Sequence, residues 1–293
     1  DPKEALEFAE RALLINPEDN SSRLIAGIGA HLTNDIAKTE SHLSLIASML
    51  PPEHIALRFL ADAQLRLGMS LEANETTKKF GSISENEATL MSGIGYALLR
   101  EGEVNKANEI LAKTPEELNE AQALASVGTL KLSLNDVSGI VDLEQALNNS
   151  DIDKNLKPQQ IEITLAQAYL STAQFDKALA IAEKWQQNPE MKSKGHGLAA
   201  RIAQLKGDKE QAKEQYEQAL LEQPDNPTLK FILLDFEPTE TQQDVQAQLQ
   251  KLQSIAEQHP EFIPAYVKHF YSAKKLGDAS PSIHLVESQL NKV

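Results

Sequence analysis

A period of 34 residues constrains this chain more than any other feature. Pro17 and Pro51 are 34 apart, and so are Gly68 and Gly102, Ala173 and Gly207, and Ala178 and Ala212. Two helices with their turns fill such a period, so the sequence predicts a stack of helix pairs rather than one closed core. The spacing inside a period also recurs. Ala212, Tyr216, Ala219 and Pro224 stand four, three and five residues apart. That places the first three on one helical face and the proline beyond the helix end. Ala5, Ala9, Ala12 and Pro17 repeat the spacing, as do Thr39, Leu43, Ile46 and Pro51. Ala178, Ala182 and Trp185 follow it, with Pro189 behind them. Small residues on this face let paired helices approach to about 8–10 Å.

Composition agrees. The chain has 293 residues, long for a single core, whereas a stack in which each unit touches only its neighbours has no such limit. Hydrophobic residues make up 41% but aromatics only 5%, a balance of Ala and Leu that suits helices. No apolar run approaches the roughly 18–20 residues of a membrane span. With no cysteine, disulfides and thiolate metal sites are excluded, which suits a chain exposed to oxidation.

The repeated residues resemble the tetratricopeptide repeat family. The likeness is strong over residues 1–115 and 160–225 and fades at 116–158 and beyond 236. Leu165-Ala166 with Tyr169, and Ile94-Gly95, stand where the family keeps the large–small pair and aromatic of its first helix. The family tryptophan of that helix is absent, and Trp185 lies in a second helix instead. The resemblance implies an all-α, right-handed superhelical solenoid of tetratricopeptide helix–turn–helix repeats. It also implies a binding rather than a catalytic role. A narrower likeness lies in residues 165–170, 177–185 and 207–227, which resemble the tetratricopeptide lipoproteins encoded with exosortase (PEP-CTERM) sorting and exopolysaccharide systems. That likeness implies an extracytoplasmic scaffold, periplasmic or anchored to the outer membrane by an upstream lipidated cysteine.

The first helix, about Pro2 to Ile15, matches the second helix of a repeat, and the chain stops inside another second helix near Gln289 to Val293. The sequence is therefore expected to be a piece of a longer array. Eight helix pairs are expected after the initial half-repeat, with first helices near 20–33, 54–67, 88–101, 121–134, 159–172, 193–206, 227–236 and 261–276. The turn-formers from Asn148 to Asn155 lengthen one period and predict two sub-arrays, 1–150 and 156–293. A second irregularity runs from Phe236 to Thr241.

Catalytic signals are weak. Gly27-Ile28-Gly29 and Gly93-Ile94-Gly95 look like fragments of a dinucleotide-binding fingerprint but lack its third glycine and its strand, so close helix packing is expected there. No two of His31, His42, His54, His196, His259, His269 and His284 have the i, i+4 spacing of a helical zinc site. His269 is expected to pack within a helix pair, and His54 and His259 to sit at helix ends. Glu116-Glu117 and Asp151/Asp153 suit helix starts and loops better than acid–base chemistry. No catalytic, metal or cofactor site is expected. The net charge of −15 disfavours nucleic acid and anionic membranes, whose phosphates demand clustered Lys and Arg.

Binding remains, and in the family first helices line the concave face. Counting from each repeat start gives His31, Arg58, Asp62, Arg66, Ser92, Tyr96 and Arg100 in one half. The other half gives Gln160, Gln167, Lys194, Arg201, Gln204, Phe231, Asp235, Tyr271, Lys274 and Lys275. Basic residues outnumber acidic ones in this set, so the groove is expected to be less negative than the rest, or positive. The Lys and Asn clamp by which co-chaperone relatives grip a C-terminal carboxylate is missing, since Leu24, Ile28, Arg58, Asp62, Ser92 and Tyr96 hold those positions. Three readings stand: a scaffold for protein–protein contacts in the cell envelope, a groove receptor for an anionic glycan or acidic peptide, and a cytoplasmic regulatory repeat protein.

Overall fold

The computed structural model describes residues 1–81, 83–149 and 157–290. The described residues form 17 α-helices and one 3₁₀ turn, with no strand among them. Helix α1 (Pro2–Ile15) comes first. The first helices are α2 (Asn20–Leu32), α4 (Ile55–Arg66), α6 (Glu85–Arg100), α8 (Ala121–Ser133), α10 (Pro158–Ser171), α12 (Lys192–Lys206), α14 (Pro227–Leu233) and α16 (Ile263–Lys275). Their partners are α3 (Ile36–Ile46), α5 (Ser70–Thr77), α7 (Val104–Leu111), α9 (Gly139–Asn148), α11 (Phe175–Gln186), α13 (Lys209–Glu222), α15 (Gln242–Gln258) and α17 (Ser280–Leu290). Every expected first helix is present. Helix α6 starts earlier than expected because Ser84 and Glu87 form a capping box at its entry.

The turn within each pair explains the period. Asn34, Gly68, Gly102, Asn135, Ala173 and Gly207 all have positive φ, from 54° to 84°. In each case the next residue's N–H bonds back five residues, as in Asp35 N to Ala30 O at 2.8 Å and Asp208 N to Ala203 O at 2.9 Å. This is the Schellman closure of a helix C-terminus, which needs a left-handed residue. The following residue can also open the second helix: the carboxylates of Asp35 and Asp208 accept from the N–H groups of Lys38 and Gln211. The α16–α17 link keeps a left-handed glycine, Gly277 at φ 93°, whereas between α14 and α15 no described residue has positive φ. Instead, Thr241 and Asp244 restart the chain with a capping box, which accounts for the irregularity at Phe236–Thr241.

The recurrent face of the second helices is buried. Thr39, Leu43 and Ile46 are at most 2% exposed, and Ala178, Ala182, Ala212 and Ala219 are fully buried. The same spacing holds Gly139, Leu143 and Ala146 of α9 in the interior, inside the stretch where the sequence likeness fades. There α8 and α9 meet backbone to backbone. A Cβ on Gly128 would lie 2.9 Å from the Gly139 carbonyl oxygen, and one on Gly139 only 2.4 Å from that of Gly128. Close packing also accounts for the Gly-Ile-Gly pairs, since a Cβ on Gly27 would meet Leu43 at 2.3 Å and one on Gly95 would meet Leu130 at 2.7 Å.

The chain forms two compact units, Asp1–Ala168 and Tyr169–Val293. The division lies within α10 rather than at the Asn148–Asn155 connection, most of which (150–156) is outside the described residues, as are 291–293. The early turns of α10 share a cleft with α6 and α8, whereas Tyr169 near its end closes the turn toward α11. Unit 1 has a continuous core from α3 to α8, with Leu43, Leu57, Met91, Ile94, Leu98 and Ile110 fully buried. Each such side chain contributes about 1.5–3 kcal/mol. Unit 2 is held by smaller clusters, one around Tyr216 and Leu229 and another around Leu252, Ile255 and Leu285. Buried His269 bonds through Nδ1 to the Ser282 hydroxyl at 2.7 Å across α16 and α17, and burial lowers its pKa. His54 caps α4, and His259 ends α15.

Ala173 holds a left-handed conformation, φ 54°, that costs an L-residue about 1–2 kcal/mol. Ala173→Gly is expected to raise stability by about 1 kcal/mol, after the greater chain entropy of glycine is subtracted. The change should show as a higher urea midpoint at unchanged slope. An unchanged or lower midpoint would mean that the turn carries no strain.

Candidate functional site

Among the described residues, first helices line a cleft in each unit. In unit 1, a cleft of about 400 Å³ lies between α6, α8 and α10. Helix α6 lines it with Thr89, Ser92, Gly93 and Tyr96, and α8 with Gln122, Ala125, Ser126, Thr129 and Leu130. Lys157, Gln160, Ile161 and Thr164 complete it. The i, i+3, i+4, i+7 spacing on α6 recurs on the next two helices, so the cleft is a repeated face. Among the described residues no carboxylate lines it, and Lys157 is the one charged residue in its lining.

In unit 2, a cleft of about 830 Å³ lies between α14, the 3₁₀ turn Leu234–Phe236 and α16. Phe231, Asp235, Tyr271 and Lys275 from the expected groove set come together here. Lys268 joins them, with Nζ 2.5 Å from Asp235 Oδ1 and 4.9 Å from the centroid of the Phe231 ring. Ile263, Val267 and Tyr271 form an i, i+4, i+8 stripe on α16, exposed by 62%, 49% and 61%. The floor is Gln248, whose amide donates to the Leu234 carbonyl at 3.0 Å. Asp235 and Glu237 balance Lys268 and Lys275 at the mouth.

Three of the expected arginines, Arg58, Arg66 and Arg201, are engaged within the chain. Arg58 is half-buried, with Nε 2.5 Å from Glu87 Oε1, Nη1 2.8 Å from the Glu53 carbonyl oxygen, and its guanidinium 5.4 Å from the centre of the Phe80 ring. Burial pushes the Glu87 carboxyl up, but hydrogen bonds from Ser84 and from Arg58 bring it below the usual carboxylate range. Arg66 donates to Asn34 Oδ1 at 2.7 Å and lies 3.6 Å from Asp62. Asp62 is also 4.0 Å from His31, whose ring stacks on Phe59 at 3.9 Å and whose pKa is lowered by burial. Arg201 donates to Gln204, which also accepts from the Tyr216 hydroxyl. Arg100, Gln167, Lys194 and Lys274 are exposed and line neither cleft. The unit 2 cleft sets Asp235 and Glu237 against Lys268 and Lys275, the unit 1 cleft takes Lys157, and neither gathers the arginines counted for carboxylate binding.

The expected groove set omits Gln122, Ser126 and Thr129, although a first helix was expected at 121–134, because they lie in the stretch where the family likeness fades. A signal existed: Gln122, Ser126 and Thr129 follow Thr89, Ser92 and Tyr96 at 33 or 34 residues. Lys268, Ile263 and Val267 are also outside the expected set, although they share α16 with the counted Tyr271, Lys274 and Lys275.

No family model matches the sequence, and no curated protein matches it. Among solved structures, the C-terminal part of a TPR repeat-containing protein from Cytophaga hutchinsonii superposes with a TM-score of 0.54 at 10% identity, over 78% of this chain and 93% of that one. The tetratricopeptide-sensor ATPase from Pyrococcus horikoshii gives a TM-score of 0.49 at 13% identity, and the Cut9–Hcn1 complex gives 0.46 at 19%. The chain covers 52% and 45% of those two chains, about half their length. The likeness to the Cytophaga protein shows the fold: this is an all-α stack of tetratricopeptide helix pairs.

Arg58→Ala breaks an ion pair that is largely withdrawn from water, and should cost about 1–3 kcal/mol. Arg100→Ala, on the exposed face of α6, should stay within about 0.5 kcal/mol. Urea titration of the two single variants checks this, and equal stabilities would show that the Arg58–Glu87 pair holds nothing together.

Proposed function

We propose that this chain is a non-catalytic scaffold that holds a protein partner across its first helices. The observation that carries this reading is the unit 2 cleft. An exposed stripe of Ile263, Val267 and Tyr271 beside Phe231, with charges balanced around it, suits an apolar anchor from a protein segment with a polar rim. Tyrosine on such a surface supplies a large contact area and a hydroxyl at little entropic cost.

The setting we propose is the cell envelope, in protein sorting or exopolysaccharide export. Its support is the resemblance of residues 165–170, 177–185 and 207–227 to exosortase-linked lipoproteins, together with a chain free of cysteine. Among the described residues no helix is long and apolar enough to cross a membrane. The reading of the groove as a receptor for acidic peptide or anionic glycan loses its main support, because Arg58 and Arg66 are already paired.

Affinity capture from an envelope extract tests the scaffold, with the wild-type chain and the double variant Val267→Ala, Tyr271→Ala run side by side. An apolar contact should survive a rise from about 50 to 500 mM salt, whereas charge recognition weakens steeply. The expected result is a partner retained at high salt by the wild type and lost by the variant. Equal recovery by both would place the contact elsewhere.

A further inference from the structure

Ser92 lies against the unit 1 cleft with 3% of its surface exposed, and its hydroxyl has no hydrogen-bond partner. Buried polar groups nearly always have a partner, and no described protein group bonds to this oxygen, so its hydrogen-bonding capacity is free to meet a ligand atom. The hydroxyls around it are arranged to accept. Ser126 gives its proton to the Gln122 carbonyl at 2.8 Å, Thr129 to that of Ala125 at 2.7 Å, and Thr164 to that of Gln160 at 3.2 Å. Each oxygen keeps lone pairs for an incoming donor, while the side-chain amides of Gln122 and Gln160 can both donate and accept. Tyr96, 46% exposed, adds an electron-rich aromatic face at the edge.

The ligand that matches this lining carries many hydroxyl donors and acceptors, no net charge, and a face of C–H bonds to lie on tyrosine. We infer that the unit 1 cleft binds an uncharged saccharide segment. An anionic glycan or acidic peptide would find, among the described lining residues, only Lys157 to meet its charges. An extended peptide main chain offers one N–H per residue, pointing alternately to either side, fewer donors than the acceptors assembled here. The volume of about 400 Å³ lies within the range of small-ligand sites. This site is separate from the protein-binding cleft of unit 2 and does not depend on it.

The test screens the full chain against an array of neutral oligosaccharides built on glucose, mannose, galactose and N-acetylglucosamine, alongside oligouronates and glutamate-rich peptides. Hits are then titrated by calorimetry at about 50 and 500 mM salt. The expected result is binding of a neutral series, with affinity changing by less than about twofold between the two salts. Tyr96→Ala and Gln160→Ala should each weaken it by about tenfold or more. Ser92→Ala should weaken it too while raising the melting temperature of the free protein, because an unmet buried hydroxyl has been removed. Tyr271→Ala, in the other cleft, should leave saccharide affinity unchanged. The inference is overturned if no neutral oligosaccharide binds at about 1 mM, or if only uronates or acidic peptides bind and are released by salt. It is equally overturned if the Tyr96 and Gln160 variants bind the hit as the wild type does.

Discussion

The structure depends on how closely the two helices of a pair can approach. That distance is set by residues with almost no side chain. Ala107, Ala178 and Ala212 are fully buried at the start of their second helices, and Gly128 and Gly139 let two backbones meet where even a Cβ would collide with a carbonyl. Larger residues would force rotamer and backbone shifts throughout a unit, since close-packed interiors transmit such strain. With the pair held tight, the Schellman turn fixes where the chain reverses, and the next pair stacks in the same way. Polar links then join neighbouring repeats: the Glu85 carboxylate accepts from the backbone N–H groups of Asn119 and Glu120, and Arg66 reaches Asn34.

This regularity explains why clefts form along the first helices without any single residue being dedicated to them. Second helices place their small face inward, so the first helices carry what remains. In unit 1 the remainder is hydroxyl and amide, and in unit 2 it is aromatic and aliphatic with paired charges. The two clefts therefore differ in chemistry although the same backbone pattern builds both.

The helix pairs were legible in the sequence because the period marks a backbone requirement. Gly68, Gly102 and Gly207 advertise a left-handed turn, and their spacing survives variation elsewhere. Asn34 and Asn135 meet the same requirement less visibly, and Ala173 meets it against its own preference. The groove was legible only in part. Of the counted residues, Ser92, Tyr96, Phe231 and Tyr271 line the clefts, whereas Arg58 and Arg66 are spent on Glu87, Asp62 and Asn34. Glu87 and Asn34 lie about one repeat away, beyond what a single helical face can show, whereas Asp62 is the i,i+4 neighbour of Arg66 on α4. The division within α10 was likewise hidden, because it follows from packing rather than from the turn-rich segment nearby.

The central claim is that recognition belongs to the first helices and not to the second. Photo-cross-linking reads this directly, with a benzophenone amino acid placed at the position of Tyr271 on α16 or, separately, of Leu221, which is 70% exposed on α13. Irradiation in an envelope extract should give a discrete partner adduct from position 271 and none from 221. Adducts of similar yield from both positions, or from 221 alone, would contradict the account.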